Sequence, residues 1–278
     1  MKSVVIFGNP GKEQVAVAME EIRPWLQDRA DVVVNTEVDS AWRDGPVDFV
    51  VVLGGDGTML SAARKFSPDH IPIVGINMGK FGFLTETTVD QCHDTLEDVL
   101  NGDYEVRDRM MLRCVLERDG EVEEDTIGLN DVVVSRTCLS RLLTIDFFVD
   151  GEIVNTYRAD GLIIATPVGS TAHSLSAGGP ILVPEVDGFV VSPICPHTLS
   201  NRPIVLPPDT ELKIRPSEYA EQPALTVDGH IFAPLEEDDT VLVRRAQEKL
   251  RLIQTGRQHF FQTLRNKLGW SGQPHYVR

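Results

Sequence analysis

Phe49-Val50-Val51-Val52-Leu53-Gly54-Gly55-Asp56-Gly57-Thr58 is the stretch on which the fold turns. Five apolar residues run without a break into three glycines gathered around one aspartate. A continuous apolar run of this length fits a strand of a parallel sheet covered on both faces, where polar alternation is not needed. Glycines at its carboxyl end let the backbone approach a ligand closely and expose N–H groups. Open α/β sheets place their ligands at that end. The continuation Thr58–Lys65 reads as a helix with Thr58 as a candidate cap, and a helix N-terminus favours a phosphate. The charge of Asp56 would repel that phosphate. Asp56 makes chemical sense as a base, or as the partner of a metal that escorts the phosphate. An aspartate capping a tight turn is the plainer alternative.

Outward from this stretch, strand and helix alternate. Ser3–Phe7 is a short β-branched run ending in Gly8-Asn9-Pro10-Gly11. Gln14–Arg29 has helical periodicity, which Pro24 should kink or split. Asp31–Asn35 and Ile73–Ile76 read as further strands, and Val89–Leu100 as a helix stopped by Asn101-Gly102. This order predicts an α/β N-terminal domain over residues 1–103 with an open, mainly parallel sheet and crossover helices. From Tyr104 to Ile253 the chain is strand-rich, and Asp119-Gly120, Asp150-Gly151 and Asp228-Gly229 each sit between β-type segments. Asp-Gly in that setting marks a two-residue hairpin whose type I′ turn needs positive φ at both positions. Residues 104–253 therefore read as a β-rich, sandwich-like C-terminal domain. The tail 254–278 contains an apolar stripe through Phe260, Phe261 and Leu264, expected to be a helix over His259–Leu268 that packs back on the first domain.

Composition narrows the function. The 278 residues suffice for about two domains. Lys plus Arg total 26 against 42 Asp plus Glu, a formal charge of -16. That argues against a nucleic-acid partner, which calls for a basic face, and against docking on an anionic membrane. No apolar run approaches the roughly 18 to 20 residues needed to span a bilayer, and the N-terminal apolar run is too short for a signal peptide. Lys is scarce, at 7 against 19 Arg, and Asp leads Glu by 23 to 19. An acidic surface of this kind keeps a protein soluble where salt screens repulsion, so a salt-rich cytoplasm is expected, an acidic mesophile protein with a chance Lys deficit being the plainer alternative. Cys92, Cys114, Cys138 and Cys195 have no metal-knuckle spacing and read as free thiols of a reducing, cytoplasmic compartment.

Two further segments carry chemistry. Asp160-Gly161-Leu162-Ile163-Ile164-Ala165-Thr166-Pro167-Val168-Gly169-Ser170-Thr171-Ala172 is a strand that turns on Gly169 into hydroxyls and backbone N–H groups. It continues through His173-Ser174-Leu175-Ser176-Ala177-Gly178-Gly179-Pro180, where the paired glycines and the proline stop any helix. Alone, it also fits a tight loop packed in the core. Asn130-Asp131, ahead of Val132-Val133-Val134, offers an amide able to read a base edge and a carboxylate able to accept from ribose hydroxyls. An ordinary Asx turn is the alternative. Neither a P-loop nor the G-x-G-x-x-G fingerprint is present; Gly8-Asn9-Pro10-Gly11-Lys12-Glu13 lacks the spacing and the Ser/Thr of a P-loop.

Taken in order, Gly54-Gly55-Asp56-Gly57-Thr58, Asn130-Asp131 and Asp160 through Pro180 resemble the NAD kinase family, over most of the chain. The first motif is shared with lipid kinases; the Thr-Pro-x-Gly-Ser-Thr-Ala stretch with Ser-Ala-Gly-Gly-Pro is much more specific. The charge texture resembles haloarchaeal members. The resemblance implies transfer of the γ-phosphoryl group of ATP, or another donor such as polyphosphate, to the 2′-hydroxyl of the adenosine ribose of NAD, with Mg²⁺ neutralising the donor phosphates. It implies Asp56 as proton acceptor and Gly54, Gly55, Gly57 and Thr58 at the phosphate donor. It implies Asn130, Asp131, Asp160, Thr171, Ala172, Ser174, Leu175 and Ser176 around NAD, with Arg141 and Arg158 as cations for its pyrophosphate. Asp56 and Gly57 border NAD as well. No protein metal ligands are implied, and since family members are usually dimers or tetramers, the resemblance implies a homodimer or homotetramer. The chain departs from the family at His173, where Tyr is usual, and at His230, where Gln is frequent. Two rival readings are a lipid or small-alcohol kinase using the same Gly-Gly-Asp-Gly device and a non-catalytic dinucleotide-binding regulator. The acidic charge and the polar second motif oppose the first, and Asp56 among its glycines opposes the second.

Overall fold

A computed structural model of the chain describes every residue except 36–44, 80–81, 138–141, 199, 219–221, 258 and 271–278, and of Ile231 and Phe232 the backbone alone. The chain forms two compact units, Met1–Asp108 with Leu250–Arg278, and Arg109–Lys249.

The first unit is the expected α/β layer. It runs β1 (Lys2–Gly8), α1 (Glu13–Gln27), β2 (Ala30–Asn35), β3 (Phe49–Leu53), α2 (Asp56–Phe66), β4 (Ile73–Asn77), the two-residue β5 (Thr87–Thr88) and α3 (Cys92–Asn101). Pairing is parallel in the order β2-β1-β3-β4. β3 and β4 are buried along their whole lengths, which is why their sequences show no polar alternation. β1 and β3 end side by side, with Gly8 opposite Leu53. Pro24 does not split α1, which runs through it. Pro24 and Glu20 are both exposed, so water can serve the carbonyl that the missing proline N–H leaves unpaired. Gly102 closes α3 in the left-handed conformation at φ 89°, as the Asn-Gly stop requires.

The second unit is antiparallel. It holds most of β6 (Glu105–Arg118), then β7 (Glu121–Gly128), β8 (Asp131–Ser135), β9 (Leu143–Val149), β10 (Glu152–Ala159) and β11 (Gly161–Ala165). After the short α4 (His173–Ser176) come β12 (Phe189–Ile194), β13 (Ile204–Leu206), β14 (Leu212–Glu218), β15 (Ala224–Val227), β16 (Ile231–Pro234) and most of β17 (Thr240–Gln254). One sheet has the order β13-β12-β11-β8-β15-β16 and the other contains β10-β9-β14-β17. Val132 and Val134 point into the main core with Phe147, Leu162 and Val243, while Val133 packs on the opposite face with Ile163 and Val190. That is the period-2 alternation of a sandwich. All three Asp-Gly pairs have positive φ at both residues, as type I′ turns demand. α5 (Phe260–Leu268) follows β17 and belongs to the first unit, with Thr263 and Leu264 buried.

Candidate active site

In the first unit the glycines after β3 do what close packing asks of them. α2 begins at Asp56 with Gly55 as its N-cap and no side-chain cap, so Thr58 is not the cap expected from sequence. Thr58 lies one turn inside, its N–H on the Gly55 carbonyl at 3.0 Å. Its hydroxyl sits where a Cβ on Gly54 would come within 2.2 Å, so only glycine fits at residue 54. The open N-terminus of α2 keeps its N–H groups available to an anion.

Asp56 is held from the other side of the loop. Its Oδ2 accepts the Phe83 N–H and its Oδ1 the Leu84 N–H, both at 3.1 Å. A Cβ on Gly82 would stand 2.0 Å from Oδ1, so this glycine too is dictated by the carboxylate. The Lys267 ammonium lies 3.4 Å from Oδ2, and the Asp56 side chain keeps 32% of its exposure. It is an oriented carboxylate with solvent access.

The second unit gathers another cluster. Asp228, buried at the Asp228-Gly229 turn, accepts the N–H groups of Leu129, Asn130 and Asp131 at 2.8, 2.7 and 3.1 Å. Burial pushes its carboxyl above the ordinary value although these amides pull it down. The Asn130 carbonyl accepts the Thr166 N–H at 2.9 Å, and a Cβ on Gly169 would meet that oxygen at 1.9 Å. Thr166, Gly169 and Asp228 thus fix the Asn130-Asp131 backbone.

Asp131 is buried, and its carboxylate meets the Nδ1 of His173 at 3.2 Å, while the His173 side chain is 62% exposed. Hydrogen bonding and attraction by Asp131 hold the His173 imidazole above its ordinary value. Ser174, expected as a contact, is buried with its hydroxyl 3.0 Å from that of Ser192. That hydroxyl contact braces the loop. Ser170 does the same, donating to the Pro167 carbonyl at 2.6 Å and accepting the Leu182 N–H at 3.0 Å.

Thr171 donates to the Val168 carbonyl at 3.0 Å. Ala172 and Leu175 are half-buried, and Ser176 and His230 are exposed. Asp160 pairs with Arg136 at 2.9 Å. Arg158 is exposed and makes no ion pair among the described residues. Arg141 and Cys138 lie outside the described residues. Cys92 and Cys114 are free and buried, their thiols pushed up to about 11 and about 12, which suits packing rather than nucleophilic work.

Sequence reasoning did not single out Gly82, Lys267 or Arg136, and read Asp228 only as a turn residue. No motif links Gly82 and Lys267 to Asp56; the fold alone brings them together. The Asp228-Gly229 pair was visible, but its backbone demand masked the use of the carboxylate.

Residues 36–104 match the ATP-NAD kinase N-terminal domain and residues 129–255 the ATP-NAD kinase C-terminal domain. An NAD kinase of Koribacter versatilis is 40% identical, with 97% of this chain aligned to 99% of that protein. An NAD kinase of Geotalea daltonii is 42% identical over the same shares of each chain. Yeast NADH kinase, solved in complex with NADH, superposes with a TM-score of 0.86 at 25% identity, covering 100% of this chain and 90% of that one. An NAD kinase from Archaeoglobus fulgidus shares the fold, with a TM-score of 0.73 at 24% identity over 98% of this chain and 100% of that one. With both family domains in order and relatives of this identity along nearly its whole length, the chain belongs to the NAD kinase family.

Proposed function

We propose that the chain transfers the γ-phosphoryl group of ATP to the 2′-hydroxyl of the adenosine ribose of NAD, giving NADP, with Asp56 taking the hydroxyl's proton. Family membership makes the chain an NAD kinase; the donor and the residue roles are the proposal. The observation that carries it is Asp56 itself, a carboxylate aimed by two backbone N–H groups and still open to solvent. Phosphoryl transfer has a loose transition state, so positioning and charge neutralisation matter more than base strength. Asp56 holds and orients the hydroxyl and takes its proton late. Gly54, Gly55 and Gly57 leave the α2 N-terminus open to donor phosphates, and Thr58 locks that corner by packing on Gly54.

Among the described residues no group of three His, Cys, Asp or Glu could hold a metal ion. Mg²⁺ would come in with the donor, because it binds through phosphate oxygens and water more readily than in an all-protein cage. Bound with the donor, it neutralises phosphate charge. No residue of the chain is assigned to it.

For NAD, the exposed His173 is the contact and the buried Asp131 orients it, with Asn130 beside them on its fixed backbone. Asp160, Thr171, Ala172, Leu175 and Ser176 border the adenosine, and Arg141 and Arg158 meet the pyrophosphate. His230 lies at the Asp228 turn, its Nδ1 2.7 Å from the Asp228 carbonyl. We place the enzyme in a reducing, salt-rich cytoplasm as a homodimer or homotetramer. No helix among the described residues is long and apolar enough to cross a membrane.

The test is turnover with ATP, Mg²⁺ and NAD in molar KCl, read through an NADP-specific dehydrogenase. NADP should form, and its formation should vanish in Asp56→Asn. Formation with polyphosphate and not ATP would correct the donor. Silence with both, from folded protein that still binds NAD, would overturn the reading. An unfolding midpoint that falls or stays flat up to molar KCl would remove the salt-rich setting, and a monomer by light scattering would remove the oligomer.

A further inference from the structure

We propose that Lys267, on the C-terminal helix, is a positioning residue for phosphoryl transfer whose ammonium holds the Asp56 carboxylate in its orientation; this rests on reading Asp56 as the proton acceptor.

The helix is fastened to the segment that holds Asp56. The Lys267 Nζ lies 3.4 Å from Asp56 Oδ2 and 4.7 Å from the centre of the Phe83 ring. Phe260, seven residues earlier on the same helix, has its ring centre 5.8 Å from that of Phe83. Residues seven apart share a helix face, so one face of α5 grips Phe83 at both ends. The Phe83 N–H is itself one of the two amides on Asp56. Three residues on, the buried Glu86 accepts the N–H and hydroxyl of Thr255 at 2.8 and 3.1 Å and the N–H of Arg257 at 3.1 Å. The chain just before α5 is thus tied to the same segment. Two attachments deliver one lysine to one carboxylate.

Stability gives little reason for this arrangement, since an ion pair with both partners about one-third exposed is screened by solvent and contributes little. Catalysis gives a better one. A donor bringing several negative charges to the glycines beside Asp56 would push its carboxylate out of place, because like charges repel. A cation within hydrogen-bonding range offsets that. Among the described residues Lys267 is the one charged group paired with Asp56; Phe83 and Leu84 meet it through backbone N–H groups. Positive charge placed there also meets the charge that develops as the phosphoryl group moves.

The experiment compares Lys267→Met, Lys267→Arg and Asp56→Asn in the full chain by kcat, KM for NAD and the thermal midpoint. In Lys267→Met, kcat should fall about tenfold. KM for NAD and the thermal midpoint should hold. Lys267→Arg should restore most of kcat. Wild-type kcat in Lys267→Met, beside a dead Asp56→Asn, would overturn the role of Lys267 alone. Equal losses of kcat in both lysine variants would make Lys267 a helix anchor and overturn it too. An active Asp56→Asn enzyme would overturn the base reading, and this role with it.

Discussion

Asp56 in the first unit accepts the N–H groups of Phe83 and Leu84, and Asp228 in the second accepts those of Leu129, Asn130 and Asp131. Drawn as hydrogen-bond diagrams the two are close to interchangeable. They differ in exposure: the Asp56 side chain retains 32%, whereas Asp228 retains 6%. Amides orient both carboxylates. Exposure decides whether an oxygen is left over for a substrate or spent on holding backbone. For Asp228, burial even outweighs three amides and raises the carboxyl above its ordinary value. Counting hydrogen bonds does not separate the accessible carboxylate from the architectural one.

Substituting each aspartate should break the symmetry. Asp56→Asn keeps the shape and one acceptor oxygen but removes the proton acceptor, so kcat should fall about 10²- to 10⁴-fold while NAD binding persists. Near-normal turnover would end the distinction. Asp228→Ala should fail differently. It strands three amides, two of them on the buried Leu129 and Asp131. At about 1–3 kcal/mol for each buried unsatisfied group, urea unfolding should show a loss of roughly 3 kcal/mol or more. Asp56→Ala strands two amides, only one of them on a buried residue, Leu84, so a smaller loss, of about 1 kcal/mol, is expected. Equal losses at the two sites would show that exposure is not what separates them.

The glycines sharpen the contrast. A Cβ on Gly82 would meet a side-chain oxygen of Asp56 at 2.0 Å, whereas a Cβ on Gly169 would meet the backbone carbonyl of Asn130 at 1.9 Å. A carboxylate can swing away; a carbonyl fixed by Thr166 cannot without moving the chain. Gly82→Ala should therefore lower kcat with little change in stability. Gly169→Ala should destabilise by about 1–3 kcal/mol, as overpacking does, and raise KM for NAD. Urea curves and steady-state kinetics on the pair check both halves.

How much of this was legible in the sequence follows the same division. The layer order, the parallel and antiparallel halves and the hairpins were readable, because Phe49–Leu53 and the Asp-Gly pairs obey local rules of burial and φ. The Gly-Gly-Asp-Gly corner was readable for the same reason. The Thr58 cap was misread because backbone space, not a side-chain bond, starts α2. Pro24 does not split α1, because an exposed proline near a helix end breaks nothing that water cannot mend. Gly82, Lys267 and the carboxylate role of Asp228 were out of reach. They depend on residues 26, 211 and about 100 positions apart meeting in space, and no spacing rule covers such distances.

The smallest effect concerns His173. The Asp131 carboxylate, 3.2 Å away, raises the imidazole above its ordinary 6.5. A group whose folded value is raised contributes stability that is fully present below its unfolded value and is lost as pH rises through the folded one. The His173–Asp131 pair should therefore stabilise the second unit at pH 5.5 and contribute little at pH 9. With the imidazole 62% exposed, solvent screening should hold the gain below about 1 kcal/mol. His173→Gln should accordingly destabilise at the lower pH and be close to neutral at the higher, by urea unfolding at each. His173→Tyr should also flatten any change in KM for NAD across that range, since a phenol does not titrate there. Equal effects of His173→Gln at the two pH values would mean that the ring packs rather than pairs, and that Asp131 orients it by shape alone.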